Sequence, residues 1–403
     1  MTAQFQIPST YTRDKTADEL FAEETATLLV NGLIFFDWET IMIQIRWADP
    51  EPIFKFTTAD RLEVPMDWQL LQFKPGDEAA IYLGKWLAMY GVITLRQVSY
   101  DANQHGVMLL GKGITWYANR ASIIHPTGNF DDKTFEQAAR EVIAPTGVNV
   151  KTIGTLDATP FARLQCEKGE TVWNFCERIA RPRGVVMGSD QFGSVLLIGD
   201  HTMAPAFDLV EGINIKKAQV TISVENVYSE YRIYAQRAAT DGNSGQDASE
   251  MEAKVAGKAK RYSPILTPAE QPVWNQAELQ KRAQSEAKWN EGTIIQASIT
   301  VQGWMRPSDN QLWEAGSDIR VWSPMAMLDM VLKVQTVTFM QSRNSGTETV
   351  LDLVVPWLLN DQGEYNFGND AVPTDPSSDP QATAVPPETK TAEPPPNELS
   401  PQH

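Results

Sequence analysis

Two cysteines, Cys166 and Cys176, and four histidines, His105, His125, His201 and His403, are few for a chain of 403 residues. The cysteines lack CxxC spacing and fall in or beside one predicted helix, which argues against a disulfide between them and for a reducing compartment. The histidines are widely spaced. With no HxxxH, HxH or Cys/His cluster, no metal site is expected. Basic residues are also short, with 34 Lys and Arg against 51 Asp and Glu and a net charge of −17 at pH 7. Phosphate binding needs a surplus of cations, so this balance argues against a general nucleic-acid or anionic-membrane binder. No apolar run approaches the ~20 residues that span a bilayer. The opening MTAQFQIPSTYTRDK lacks the basic-then-apolar order of a signal peptide. A soluble protein made in a reducing cytoplasm is the expectation.

Catalytic signatures are missing as well. There is no GxSxG elbow and no P-loop, and Gly111-Lys112-Gly113 does not continue as GxGxxG. Glu167, Glu170 and Glu177 could serve as the carboxylate pair of a glycoside hydrolase. In so acidic a chain a solvated face is the simpler reading. Trp304, Trp313 and Trp322 could stack on sugars or bases; on turns and strand ends they are expected in the core or between subunits. No catalytic, cofactor-binding or metal-binding residue is assigned, no cofactor is expected, and the chain is read as a non-enzyme.

What the sequence does hold is β pattern on either side of a helical stretch. From Thr27 a strand runs to Asn31-Gly32, a two-residue hairpin signal. Ile41, Ile43, Ile45 and Trp47 then alternate with polar or larger residues at period two. Further strands flank a turn at Lys74–Asp77, so residues 27–125 read as a first β-barrel domain. Within 126–204 the period changes to that of helices. Phe135, Ala138, Ala139, Val142 and Ile143 form one apolar stripe, and Val172, Phe175, Cys176, Ile179 and Ala180 another. Thr134 with Gln137 makes a capping box, Thr171 caps the second helix, and Pro145–Gly147 and Pro182–Gly184 end the two. A hairpin follows at 185–199. Residues 205–360 return to β, with Val220–Val224 answered by Tyr231–Ala235. A loop poor in large apolars spans 239–260, and a helix from Asn275 to Gly292 buries Leu279, Ala283 and Ala287. Residues 1–26 read as an arm, and the Pro-rich tail 361–403 as disordered.

The stretch 73–110 is echoed near 313–353. Gly76-Asp77 matches Gly316 and Asp318, Ile81–Leu83 matches Ile319–Val321, Val98–Tyr100 matches Val337–Phe339, and Gly106 matches Gly346. The offset holds near ~240 residues, as a duplicated unit would give. ETIMIQIRW and KAQVTISVE correspond loosely ahead of each copy. Gly76 and Gly316 are each expected to open a strand pair at positive φ. The fold class is therefore α+β and mainly β: two similar barrels with an inserted α+β module.

The order of these motifs resembles the baseplate hub, or tail, proteins of Mu-like contractile phages, relatives of the late-control D proteins and of type VI secretion spike hubs. The resemblance covers most of 27–360. It rests on VNGLIFFDWETIMIQIRW, FKPGDEAAIYLG, TFEQAAREVIAPTGVNV, ETVWNFCERIARPRGVV and the closing LWEAGSDIRVWSP…LKVQTVTFM. It implies tail-tube-like barrels, a homotrimer forming a pseudo-sixfold ring, and a place in the virion between the hexameric tail tube and the central spike. Wedge proteins and the tape measure protein are further implied partners, with DNA passing through the channel without specific binding. KGETVWNFCERIARPRGV also resembles the opening of a LysM module, which would instead imply a tail-associated peptidoglycan-binding or cell-wall-degrading protein.

Overall fold

The computed structural model describes residues 24–36, 38–60, 73–100, 105–199, 207–235, 251–268 and 276–356. Nearly all of the N-terminal arm, the tail 361–403, residues 239–250 of the expected loop and the cap candidate Asn275 lie outside the described residues. The chain is mostly β.

The first lobe contains β1 (Ala26–Val30), β2 (Leu33–Phe35), β3 (Thr40–Arg46), β4 (Ile53–Asp60), β5 (Glu78–Leu83), β6 (Trp86–Tyr100) and β7 (His105–Gly113). Val30 lies across from Leu33, and Asn31 and Gly32 between them have φ of 52° and 78°. That left-handed pair is what a two-residue hairpin turn requires. The turn between β5 and β6 falls at Gly84-Lys85, and β6 continues as one strand from Trp86 to Tyr100. Gly111 and Gly113 act in packing. A Cβ on Gly111 would sit 2.0 Å from Cζ of Phe54, and one on Gly113 2.6 Å from Pro52.

The middle module contains α1 (Trp116–Arg120), α2 (Phe135–Ile143), β8 (Val150–Ile153), α3 (Val172–Ala180), β9 (Val186–Ser189) and β10 (Val195–Ile198). The two long helices repeat one plan. The Thr134 side chain accepts from the N–H of Gln137, completing the capping box, and Thr171 accepts from the N–H of Asn174. Each helix tightens into a 3₁₀ turn containing proline and ends on a left-handed glycine, Gly147 or Gly184. Their apolar stripes meet around Phe130, Phe135, Phe175 and Cys176. Both cysteines are free thiols; burial, with some help from Glu170, pushes the Cys176 thiol well above its usual range.

Beyond the module run β11 (Phe207–Val210) and β12 (Lys217–Ile222), then β13 (Glu230–Ala235), β14 (Met251–Ala256), β15 (Pro264–Pro268) and α4 (Gln276–Gly292). Two expectations fail here. β13 does not answer β12: it pairs with β14 and β15 in a separate sheet. Part of the expected loop, Met251–Ala256, is a strand. It needs few large side chains because Ala253 packs with Ile233, Ala235, Leu279 and Ala283 in a small core under α4. The thin apolar face of α4 is matched to that shallow surface.

The second lobe closes with β16 (Ile295–Gln302), β17 (Asp318–Ser323), β18 (Leu328–Ser342) and β19 (Gly346–Val354). β12 pairs with β16 across the whole insertion.

Candidate assembly surface

The two lobes share one ladder plan. The first has the order β3-β4-β7-β6-β5-β1, and the second β12-β16-β19-β18-β17-β11. Correspondence extends to irregularities. Bulges interrupt β6 between Ile93 and Leu95 and β18 between Val334 and Thr336, 241 residues apart. Gly76 N–H donates to Ile93 O and Gly316 N–H to Val334 O, at 2.8 and 2.7 Å. The glycines have φ of 102° and 87°. The bulges place Val98 opposite Phe339 in the comparison, two positions from the sequence match. A shift of two keeps every side chain on its own face, so the pattern alone could not fix it. The copies differ at one edge, where β1 joins β5 antiparallel and β11 joins β17 parallel.

The lobes are not separate barrels on a string. β3 pairs antiparallel with the second half of β18, from Thr40 opposite Ser342 to Arg46 opposite Thr336, so both lobes lie in one 13-stranded sheet. Ile43 and Phe339, across from one another, are both fully buried. On the other face Gln44 Nε2 donates to Thr338 Oγ1 at 3.3 Å. The apolar core is accordingly continuous across the junction. Among the described residues the ladder does not close either lobe on itself.

The counterparts of these two strands are left at edges. β12 has only β16 beside it among the described residues, and Ile222 and Val224 are exposed. No described strand lies against the outer edge of β6 past its bulge, where Leu95 and Val98 are exposed.

The residues with chemical promise in the sequence come to structural ends. Glu170 is clamped by Arg178, with contacts of 2.8 and 2.9 Å, and Glu177 pairs with Arg181 at 2.7 Å. The Glu167 N–H donates to Glu170. No two of these carboxylates face one another across a cleft as free groups. Trp304 is buried and donates to Met340 O at 3.2 Å, Trp313 is buried against Phe207, and Trp322 is half-buried within β17. In the LysM-like fragment Val172, Trp173, Phe175 and Cys176 are all buried in the module core, and α3 leads into β9 rather than into a second helix. Among the described residues no group of three or more His, Cys, Asp or Glu is arranged to hold a metal.

A cleft of about 660 Å³ opens where the first lobe, the module and the second lobe meet, lined by Trp47, Trp86, Lys151, Asp190, Trp313 and Glu314. Lys151 and Asp190 pair across it at 2.5 Å. The module is seated here by Tyr90 N–H donating to Gln191 O at 2.8 Å and Ser189 Oγ to Asp49 O at 3.1 Å.

Burial alone would push the Glu170 carboxyl up, but the Arg178 guanidinium and the Glu167 N–H outweigh it, and the net shift is downward. A lowered carboxylate stabilises the fold above its ordinary value of 4.5, and that contribution is lost as the pH falls through the lower folded value. Glu170→Gln is expected to cost about 1.5–3 kcal/mol at pH 7 and to flatten the acid limb of a stability-against-pH curve. An unchanged curve would show that the clamp contributes nothing.

Residues 120–199 match the family described as baseplate hub protein gp44-like, second domain. The chain is 24% identical over 338 residues to the baseplate hub protein gp44 of Escherichia phage Mu, covering 82% of this chain and 87% of that one. It is similar in fold to the 43 kDa tail protein of prophage MuSo2 from Shewanella oneidensis. That match has a TM-score of 0.73 and 24% identity, over 84% of this chain and 99% of that one. It is also similar to a tail protein from Neisseria meningitidis MC58, with a TM-score of 0.69 and 20% identity, over 83% and 98% of the two chains.

Proposed function

We infer that this chain, a relative of the Mu-like phage baseplate hub proteins, is a structural hub of a phage tail that works as a homotrimeric ring. The observation that carries the reading is the duplicated lobe, joined edge to edge through β3 and β18. Three chains with two lobes each would present a pseudo-sixfold platform to a hexameric tail tube, while the rest of each chain keeps threefold symmetry for a central spike. Wedge and tape measure proteins are the further partners in this reading, and the virion is its location, after assembly in the host cytoplasm.

Charge supports the channel role. At −17, a lumen lined by this chain would repel DNA phosphates, so a genome could pass without sticking. A non-catalytic role is supported by the pairing of Glu170 and Glu177 with arginines. We carry the division into an arm (1–26), a first lobe (27–125), a module (126–204), a second lobe (205–360) and a tail (361–403) as part of this proposal. The helix and small sheet of Glu230–Gly292 form an insertion in the second lobe.

Sedimentation of the full chain at micromolar concentration tests the reading, with a trimer as the expected species and a ring with a central hole in negative-stain images. A chain that stays monomeric even when mixed with tube and spike proteins would overturn it.

A further inference from the structure

We propose that the cleft between the two lobes and the module is a docking site for the chain's own C-terminal segment Ala371–Pro380. The inference goes beyond the hub reading and does not depend on it, since it needs only one copy of the chain.

Three tryptophans among the described residues bury an indole N–H that meets no acceptor: Trp38, Trp47 and Trp313. Two of them, Trp47 and Trp313, line this cleft. A buried donor left unsatisfied costs about 1–3 kcal/mol, so two at one place point to a missing partner. Trp313 is only 3% exposed, and bulk water cannot serve in its place. Trp86 adds a third ring to the lining, held by its own N–H, which donates to Asn310 O at 2.8 Å. Ile153, Leu196 and Leu312 make much of the remaining wall aliphatic. The volume of about 660 Å³ suits a few residues of extended chain and excludes a folded domain.

Aromatic walls that carry N–H donors and lack acceptors are complementary to proline-rich chain. Proline offers a carbonyl and has no N–H of its own. Its fixed φ leaves little entropy to lose on docking, and its ring packs against aromatic side chains. Pro373-Thr374-Asp375-Pro376 has the PxxP spacing that aromatic-lined grooves read. A small rotation of either indole, of the kind side chains make on binding, brings its N–H to an entering carbonyl.

The course of the chain brings this segment within reach. Val354 stands opposite Lys333 on one edge of β18, and Trp47 N–H donates to Gln335 O on the other. By strand spacings Pro356 lies roughly 15–20 Å from Trp47. Residues 357–372 can span up to ~55 Å, well beyond that gap. A tether of this length gives an effective concentration of order 1 mM, so a site with a Kd of ~100 μM would be ~90% filled.

A labelled peptide of residues 371–380 tests the docking. It is titrated into the full chain and into the full chain carrying Pro373→Ala and Pro376→Ala. The variant is expected to bind the peptide, and the parent at least tenfold more weakly, because its own segment holds the site. The same two changes placed in the peptide are expected to abolish binding without touching the protein's fold. Adding Trp47→Phe or Trp313→Phe to the variant keeps a ring, removes one donor, and is expected to weaken the peptide about two- to tenfold. In the full chain, Thr374→benzoylphenylalanine is expected to crosslink under illumination at monomer mass to the stretch holding Trp47 or Trp313. No binding to the variant, or equal binding to variant and parent, would overturn the proposal. So would a crosslink at dimer mass, which would give the cleft to a neighbouring copy, or one at monomer mass outside the lining.

Discussion

Gly316→Ala is expected to destabilise the protein by about 2–5 kcal/mol, roughly two to three times the effect of the same change at Gly76. Both glycines open a strand pair at positive φ, so each substitution carries the left-handed penalty of roughly 1–2 kcal/mol for a residue with a Cβ. At Gly76 nothing lies within 4 Å of the added atom. At Gly316 the Cβ would fall 2.1 Å from Cε3 of Trp47, at the end of β3. The indole is half-buried at the rim of the cleft, with Lys333 Nζ 6.0 Å from its ring centre, and must shift from this seat to admit the added atom. Displacing a packed ring adds about 1–3 kcal/mol. Urea unfolding of the two variants decides it: equal midpoints would show that Trp47 does not seat on the glycine.

The second large effect belongs to the ion pair beside that contact. Lys333 is buried, its ammonium 3.1 Å from Asp318 Oδ1 and 3.3 Å from Gly316 O. The first lobe has nothing equivalent, since Val92 stands opposite Glu78 where Lys333 stands opposite Asp318. Lys333→Ala removes the cation that neutralises a mostly buried carboxylate and is expected to cost about 3–5 kcal/mol. Lys333→Met with Asp318→Leu replaces both charges by apolar groups of similar size and is expected to recover most of that loss. A double variant as unstable as Lys333→Ala would mean that the site depends on the lysine's bond to Gly316 O and not on the charge pair. The cluster of Trp47, Gly316, Asp318 and Lys333 lies where β3 meets the second lobe, so both predictions probe the same junction.

Local structure was legible where one residue type has one physical use. Asn31-Gly32 gave the hairpin because both residues tolerate positive φ. Thr134 with Gln137, and Thr171, gave the helix starts because their side chains satisfy free N–H groups. The echo at an offset near ~240 residues gave the duplicated β5-β6-β7 and β17-β18-β19 units. The strand at Met251–Ala256 escaped notice because alanine and short polar residues carry no hydrophobic signal, and only the shallow face of α4 makes Ala253 a core residue.

The sequence by itself therefore determined the mostly β character of the chain, its helix caps and turns, and the kinship of its two lobes. Each of these follows from side chains acting on near neighbours or from repetition of a pattern. Tertiary structure alone decided that β12 skips β13 for β16, and that β3 joins β18, with Gln44 and Thr338 meeting 294 residues apart in sequence. Strand partners are held by backbone N–H and C=O groups that almost every residue carries, so alternation shows which face a strand buries and not which strand lies beside it.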